Sequence, residues 1–375
     1  MESHKTNPSI RGRGAADNPA NRFERAHYAP DEDPQPILET DAEAILEHRN
    51  ANVPLPQYLP DHSRTIIASN DSPDVPFARS INPYRGCSHG CIYCYARPTH
   101  EYLGMSAGLD FESRILVKHQ APELLRAELA AKSWQPQMIA LSGVTDCYQP
   151  IERQFRLTRR CLEVLLGFRN PVGIVTKNRL VVRDLDLFKQ LAAFDCVQVF
   201  ISLTTLDPHL TQILEPRTSV PRDRLRAIRE LSAGGIPVGV LLAPIIPALT
   251  DHEIPALLKA AQEAGARSAV GVPLRLPCVV KDLFADWLDR HLPDRKEKVL
   301  HRIRDLHGGA LNDPRLVHRM RGQGEWARQI GQVFHLHAAR RGLDKDECRL
   351  STAHFRVPSA PARDEQLPLF GPGFG

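Results

Sequence analysis

The sequence predicts an α/β fold in which a parallel sheet is covered by helices, as a (βα)6 barrel, complete or partial. Two observations lead there: short, near-continuous β-type apolar runs alternate with amphipathic helical patterns through the middle of the chain, and Gly or Pro punctuates the junctions. A third is length, since 375 residues suffice for one large core or two ordinary domains.

The first strand is expected around Ser80–Tyr84, followed by Arg114–Lys118, Gln137–Leu141, Val172–Thr176, Val197–Ser202 and Val238–Leu242. Helical periodicity falls at Ala121–Lys132, Gln154–Leu166, Leu185–Ala193, Pro221–Ala233 and Ile254–Ala264, where apolar residues recur at three- and four-residue steps. About six βα units therefore span Ser80 to Leu276. From Lys281 to Lys345 the pattern becomes helical and basic, with 14 Lys and Arg against 9 Asp and Glu. It reads either as a solvated helical flank or as a surface facing nucleic acid. The expected organisation is an irregular N-terminal arm (1–60), a core (61–278), a basic helical extension (279–356) and a flexible tail (357–375). The arm carries eight Pro and no sustained periodicity.

No apolar run approaches the ~20 residues of a membrane span. The polar start shows no secretory pattern, so a cytoplasmic, reducing compartment is expected and the eight Cys are not read as disulfides. The net charge of +4 decides nothing about partners.

Three of the eight Cys lie within eight residues, in Asn82-Pro-Tyr-Arg-Gly-Cys87-Ser-His-Gly-Cys91-Ile-Tyr-Cys94-Tyr-Ala96. Three thiolates can converge on a metal centre. Closing a tetrahedral zinc site needs a fourth ligand, for which His89 and His100 are candidates. The other solution is a [4Fe–4S] cluster with one iron left open, and an open iron is a reaction site.

The C-x3-C-x2-C spacing, with Tyr93 before the third Cys at the end of a first strand, resembles the radical S-adenosylmethionine superfamily. Further segments resemble its DNA-repair-photolyase-type branch related to spore photoproduct lyase: Thr145-Asp146 with Gln149-Pro150-Ile-Glu152, Val175-Thr-Lys177, Ile201-Ser202, Glu215-Pro216-Arg217 and Leu242-Ala-Pro244. The resemblance runs from about Asn82 to Arg275. It implies a [4Fe–4S] cluster on Cys87, Cys91 and Cys94, and S-adenosylmethionine cleaved reductively to a 5′-deoxyadenosyl radical. An electron donor such as flavodoxin or ferredoxin follows from that chemistry. Tyr93, Thr145, Lys177, Ser202 and Arg217 become candidates for cofactor contact, since Thr145, Lys177 and Ser202 end predicted strands, where parallel α/β arrays place ligands. Asp146 and Glu152, in a polar loop on the same face, are candidate catalytic residues.

One position departs from the pattern. Spore photoproduct lyases carry a hydrogen-donating cysteine where this chain has Gly143, and Cys147 or Tyr148 is the expected substitute if a donor is used. The implied reaction is on a nucleic-acid base or lesion. The rivals are radical modification of RNA or protein, and a non-catalytic metal- or cluster-binding accessory protein.

Near the end, Gln366-Leu367-Pro368-Leu369-Phe370 is an apolar pentapeptide in a polar, Pro-rich context. It resembles the pentapeptide that binds the bacterial sliding clamp, which makes Gln366, Leu367, Leu369 and Phe370 candidate contacts to that partner.

Overall fold

In a computed structural model, residues 10, 12–23, 55–344 and 350–358 are described. Cys348 and the Gln366–Phe370 pentapeptide lie outside them.

Ten strands form two sheets: β1 (Gln57–Pro60), β2 (Ile67–Ser69), β3 (Arg79–Ile81), β4 (Tyr84–Arg85), β5 (Arg114–Val117), β6 (Ile139–Leu141), β7 (Val172–Thr176), β8 (Val197–Ser202), β9 (Val238–Ile245) and β10 (Ser268–Pro273). The large sheet has the order β10-β9-β8-β7-β6-β3-β2. Its six strands from β3 to β10 run parallel, with β2 antiparallel on the edge. The sheet stays open, so the architecture is a partial barrel. The helices are α1 (Leu109–Ser113), α2 (Ala121–Ala130), α3 (Glu152–Phe155), α4 (Leu157–Phe168), α5 (Leu185–Ala192), α6 (Pro208–Leu214), α7 (Pro221–Ala233), α8 (Ile254–Glu263), α9 (Val280–His291), α10 (Pro293–Leu306), α11 (His318–Arg321) and α12 (Gly324–Ala339).

Three expectations change here. The Arg114–Lys118 run is not a barrel strand: as β5 it pairs with β1 and β4 in a separate three-stranded sheet. The sixth parallel strand is β10, whose sequence Ser-Ala-Val-Gly-Val-Pro has no continuous apolar run because it lies half-exposed at the sheet edge. The loop holding Asp146 therefore follows the second parallel strand, and the one holding Glu215 the fourth. The helical pattern at Gln154–Leu166 is also split, since Arg156 takes a left-handed backbone between α3 and α4.

The main core packs Ile81, Leu141, Ile174, Val199, Ile201 and Val240 of the strands against Leu125, Leu162, Leu191, Ile228 and Leu258 of the covering helices. A second core joins α9 and α10, through Phe284, Trp287, Val299 and Ile303, to Ile92 and Tyr93 of the cysteine loop. Trp287 donates to the Ile213 carbonyl at 2.9 Å. The helical extension is thus docked beside the three-cysteine segment. Among the described residues, no helix is long and apolar enough to cross a membrane.

Candidate active site

The cysteine loop begins where β3 ends. Asn82 accepts from the Val144 and Thr145 amides at 2.9 and 3.2 Å, which ties this loop to the one after β6. The loop then winds through tight turns, with Gly90 N–H donating to Cys87 O and Cys94 N–H to Cys91 O. Buried Gln149 latches it from outside, accepting from Ser88 N at 3.0 Å and donating to Gly86 O at 3.3 Å. Arg97, fully buried, donates to the carbonyls of Cys91 (3.0 Å), Gly90 (3.3 Å), Ala107 (3.2 Å) and Gly108 (3.0 Å) and pairs with Glu112. One guanidinium thus satisfies carbonyls that a loop with so few ladder bonds leaves open. Gly90 has φ +67°, and a Cβ there would lie 2.7 Å from Glu112 Oε2.

Residues 12–15 form a strap over this loop. The amides of Gly14 and Ala15 donate to the Glu112 carboxylate at 3.1 and 2.9 Å, and Arg13 donates to Glu112 O at 2.7 Å. A Cβ on Gly14 would collide with the Gly90 carbonyl.

Cys87 and Cys91 are buried and Cys94 is half-buried. Burial pushes the thiols of Cys91 and Cys94 up, the latter to about 11, so taking up metal releases protons. His89 has Nδ1 3.3 Å from the Asp146 carboxylate and Nε2 3.3 Å from Asn178 Nδ2. Burial lowers its pKa, but Asp146 and Cys87 outweigh that and raise it to about 10. His100 is turned to the Arg114 carbonyl at 2.9 Å. Among the described residues, no three of His, Cys, Asp and Glu lie close enough together to share one ion, and both candidate histidines have other partners, Asp146 for His89 and the Arg114 carbonyl for His100. Three thiolates that do not share one ion fit a cluster, in which each would hold a different iron.

Beside the loop lies a buried polar knot. Lys177, just past β7, has its Nζ 2.7 Å from Ser202 Oγ, 3.1 Å from Ala243 O and 3.1 Å from Glu215 Oε1. Glu215 also pairs with Arg224 and accepts from the Tyr93 hydroxyl and from Thr204 Oγ1, the last at 2.7 Å. Burial alone would raise the Glu215 carboxyl, yet Arg224, Lys177 and these hydrogen bonds hold it well below the usual carboxylate range. Three residues named from the sequence, Tyr93, Lys177 and Ser202, are therefore brought together. Sequence reasoning missed Thr204 and Arg224, and it noted Glu215 without placing it at the centre; only the fold brings the cysteine loop, the ends of β7 and β8, the end of α6 and helix α7 to one point.

The other candidates stand elsewhere. Thr145 is buried behind the loop, its hydroxyl donating to Tyr84 O at 2.8 Å. Asp146 bridges His89 to β7, accepting from Thr176 Oγ1 and from the Lys177 amide, both at 2.8 Å. Arg217 donates its amide to His89 O at 3.2 Å, and its guanidinium lies beside Gly12 of the strap. Cys147 and Tyr148 are fully enclosed in the main core, with the Tyr148 hydroxyl donating to Asp184 at 3.0 Å. Glu152 is equally buried, accepting from Tyr84 OH (2.5 Å), Thr158 N (3.1 Å) and Arg183 Nη2 (2.8 Å).

This site, a three-cysteine loop at the carboxyl ends of a partial parallel barrel, is that of a protein class with a matching sequence family. The family model described as the radical SAM superfamily matches residues 81–261. The chain belongs to the radical SAM superfamily, whose members use a [4Fe–4S] cluster and S-adenosylmethionine. Among curated relatives, an uncharacterized protein of Mycobacterium tuberculosis (strain ATCC 25618 / H37Rv) is 37% identical over 235 residues, which is 62% of this chain and 68% of the other. One of Methanocaldococcus jannaschii is 34% identical over 173 residues, covering 46% and 62% respectively. The fold is similar to spore photoproduct lyase complexed with dinucleoside spore photoproduct, at TM-score 0.53 and 16% identity over 76% of this chain and 79% of that one. A variant of the same lyase with bound AdoMet and the dinucleoside gives TM-score 0.54 at 16% identity, over 82% and 85%.

Proposed function

We propose that this chain uses its cluster and S-adenosylmethionine to act on a nucleic-acid base or lesion. The observation that carries the reading is the three-cysteine loop packed against the Lys177–Glu215 knot at the carboxyl ends of the strands, in a fold shared with a lyase solved with a dinucleoside lesion. When bound, the cluster and cofactor supply one-electron cleavage of the sulfonium and hydrogen-atom abstraction. Cys87, Cys91 and Cys94 would hold the cluster. Lys177 and Ser202 offer a cation and a hydroxyl to the polar groups of S-adenosylmethionine, while Tyr93, Thr204, Glu215 and Arg224 fix where that ammonium points. Asp146 keeps His89 and the start of the β7 loop in register. We assign Thr145, Cys147, Tyr148 and Glu152 to building the wall behind the loop, since the hydroxyls of Thr145 and Tyr148 and the Glu152 carboxylate are taken by other buried groups, Tyr84, Asp184 and Arg183 among them, and Cys147 lies in the core. Arg217 secures the strap side.

Reconstitution under anaerobic conditions should give a brown protein that, once reduced, releases 5′-deoxyadenosine from S-adenosylmethionine. A colourless protein holding one zinc would overturn the reading in favour of an accessory protein. The pentapeptide Gln366–Phe370 extends the proposal: it would dock the enzyme on a bacterial sliding clamp and so deliver it to DNA. An external one-electron donor of the flavodoxin or ferredoxin type completes the requirement.

A further inference from the structure

Beside the cysteine loop stands a cation with no directly paired carboxylate among the described residues. Arg275 is the second residue past β10, the last parallel strand, yet its guanidinium lies 5.5 Å from the ring centre of Tyr95, which directly follows Cys94. The contact therefore joins loops from the first and last parallel strands, across the open side of the sheet. Among the described residues no carboxylate pairs with Arg275: its Nη1 meets only the Met320 sulfur at 3.0 Å, and its Nε is buried without a partner. The nearby acid, Asp74, is taken by Arg319 and by the Val317 amide at 2.7 Å.

Aromatic rings continue from this point. Three residues after Arg275, Cys278 Sγ accepts from Arg22 at 3.0 Å. The Arg22 guanidinium, paired with Glu101 at 2.8 Å, lies 4.7 Å from the centre of the Phe23 ring and 5.5 Å from that of Tyr102. Phe23 and Tyr102 are themselves 5.1 Å apart. Phe23, Tyr95 and Tyr102 are 55%, 49% and 72% exposed, and they are the exposed Phe, Tyr and Trp side chains of the described residues. Tyr95 and Tyr102 follow the cysteine loop closely in the chain, and Phe23 packs on Tyr102. Exposed rings set beside a half-buried arginine that has no direct carboxylate partner, its nearest acid being paired with Arg319, match a ligand with π faces and a regularly charged backbone. A peptide carboxylate would answer the charge but leave the rings without a partner.

We propose that Tyr95, Arg275, Tyr102 and Phe23 form a track for unpaired nucleotides, with Arg275 taking a backbone phosphate and the rings stacking bases beside the radical site. Bases inside a duplex do not offer their faces, so the occupant is single-stranded or extruded nucleic acid. The inference rests on the nucleic-acid reading above and names the surface it would use.

The test is fluorescence anisotropy of the full-length, cluster-loaded protein with a short labelled oligothymidylate, titrated at several salt concentrations. Arg275→Gln should weaken binding roughly tenfold and lower the salt slope by about one phosphate contact, with Arg275→Lys restoring the slope. Tyr102→Ala should weaken binding by a similar factor at unchanged slope. Binding unaffected by both changes, or equally tight binding to blunt duplex, would overturn the track. So would Arg275-dependent binding of polyglutamate in place of the oligonucleotide. The wild-type protein's release of 5′-deoxyadenosine is measured separately: cleavage without oligonucleotide binding rejects the track alone, and binding without cleavage rejects the radical reading alone.

Discussion

Glu215 shows how one side chain can hold a site. It is wholly buried, and two cations depend on it, Lys177 and Arg224. Removing it in Glu215→Ala leaves two buried cations without their carboxylate, so a loss of about 3–5 kcal/mol is expected in urea denaturation at neutral pH. The pH dependence follows from the direction of its shift. Its folded pKa is depressed below the unfolded value, so its contribution is present above the ordinary carboxylate range and is lost as pH falls through and below that range. The wild-type midpoint should therefore drop more between about pH 5 and pH 3 than that of Glu215→Gln. An equal drop in both proteins would place the acid sensitivity elsewhere. At the cysteines, Cys94→Ala should abolish the brown colour and bound iron after reconstitution, read by iron analysis, because a half-open loop has no other thiol to substitute.

At the scale of elements, the cysteine loop is built by neighbours remote in sequence. Arg97 donates to its carbonyls, and Glu112, paired with Arg97, accepts from the amides of the strap of residues 12–15. Gly14→Ala would force the strap off the Gly90 carbonyl while leaving the barrel intact. The expected result is bleaching of the cluster in air several-fold faster than wild type, followed by absorbance, with a nearly unchanged melting temperature. The same scale explains why strand membership was misread. β5 has the apolar run of a buried strand but joins a different sheet, whereas β10 has the membership without the run. An edge strand is half-exposed, and periodicity reports burial rather than hydrogen-bond partners.

Over the whole molecule, the helical extension packs α9 and α10 against the cysteine loop, so that loop is covered by parts of the chain more than 180 residues away. Arg319 of α11 reaches Asp74 and Ser72, linking the extension to the β2–β3 edge of the sheet. If the pentapeptide works as proposed, a peptide of the last twelve residues should bind a bacterial sliding clamp, and Phe370→Ala should abolish that binding in a calorimetric titration. Unchanged binding would reject a pocket filled by Phe370.

By itself the sequence determined the chemistry of the centre. Cys87, Cys91 and Cys94 lie on one short loop, and metal-ligand spacing within a loop is local, so it is legible before folding. The alternation of strands and helices was legible for the same reason, since burial on both faces of a parallel sheet leaves an apolar run in the residues themselves. Only the tertiary structure decided that Lys177, Ser202, Thr204, Glu215 and Arg224 share one buried knot, that Cys147, Tyr148 and Glu152 belong to the wall, and that Arg275 meets Tyr95 across the open sheet. Those contacts join residues from separate loops, and nothing in a linear pattern records which loops a curved sheet will bring together.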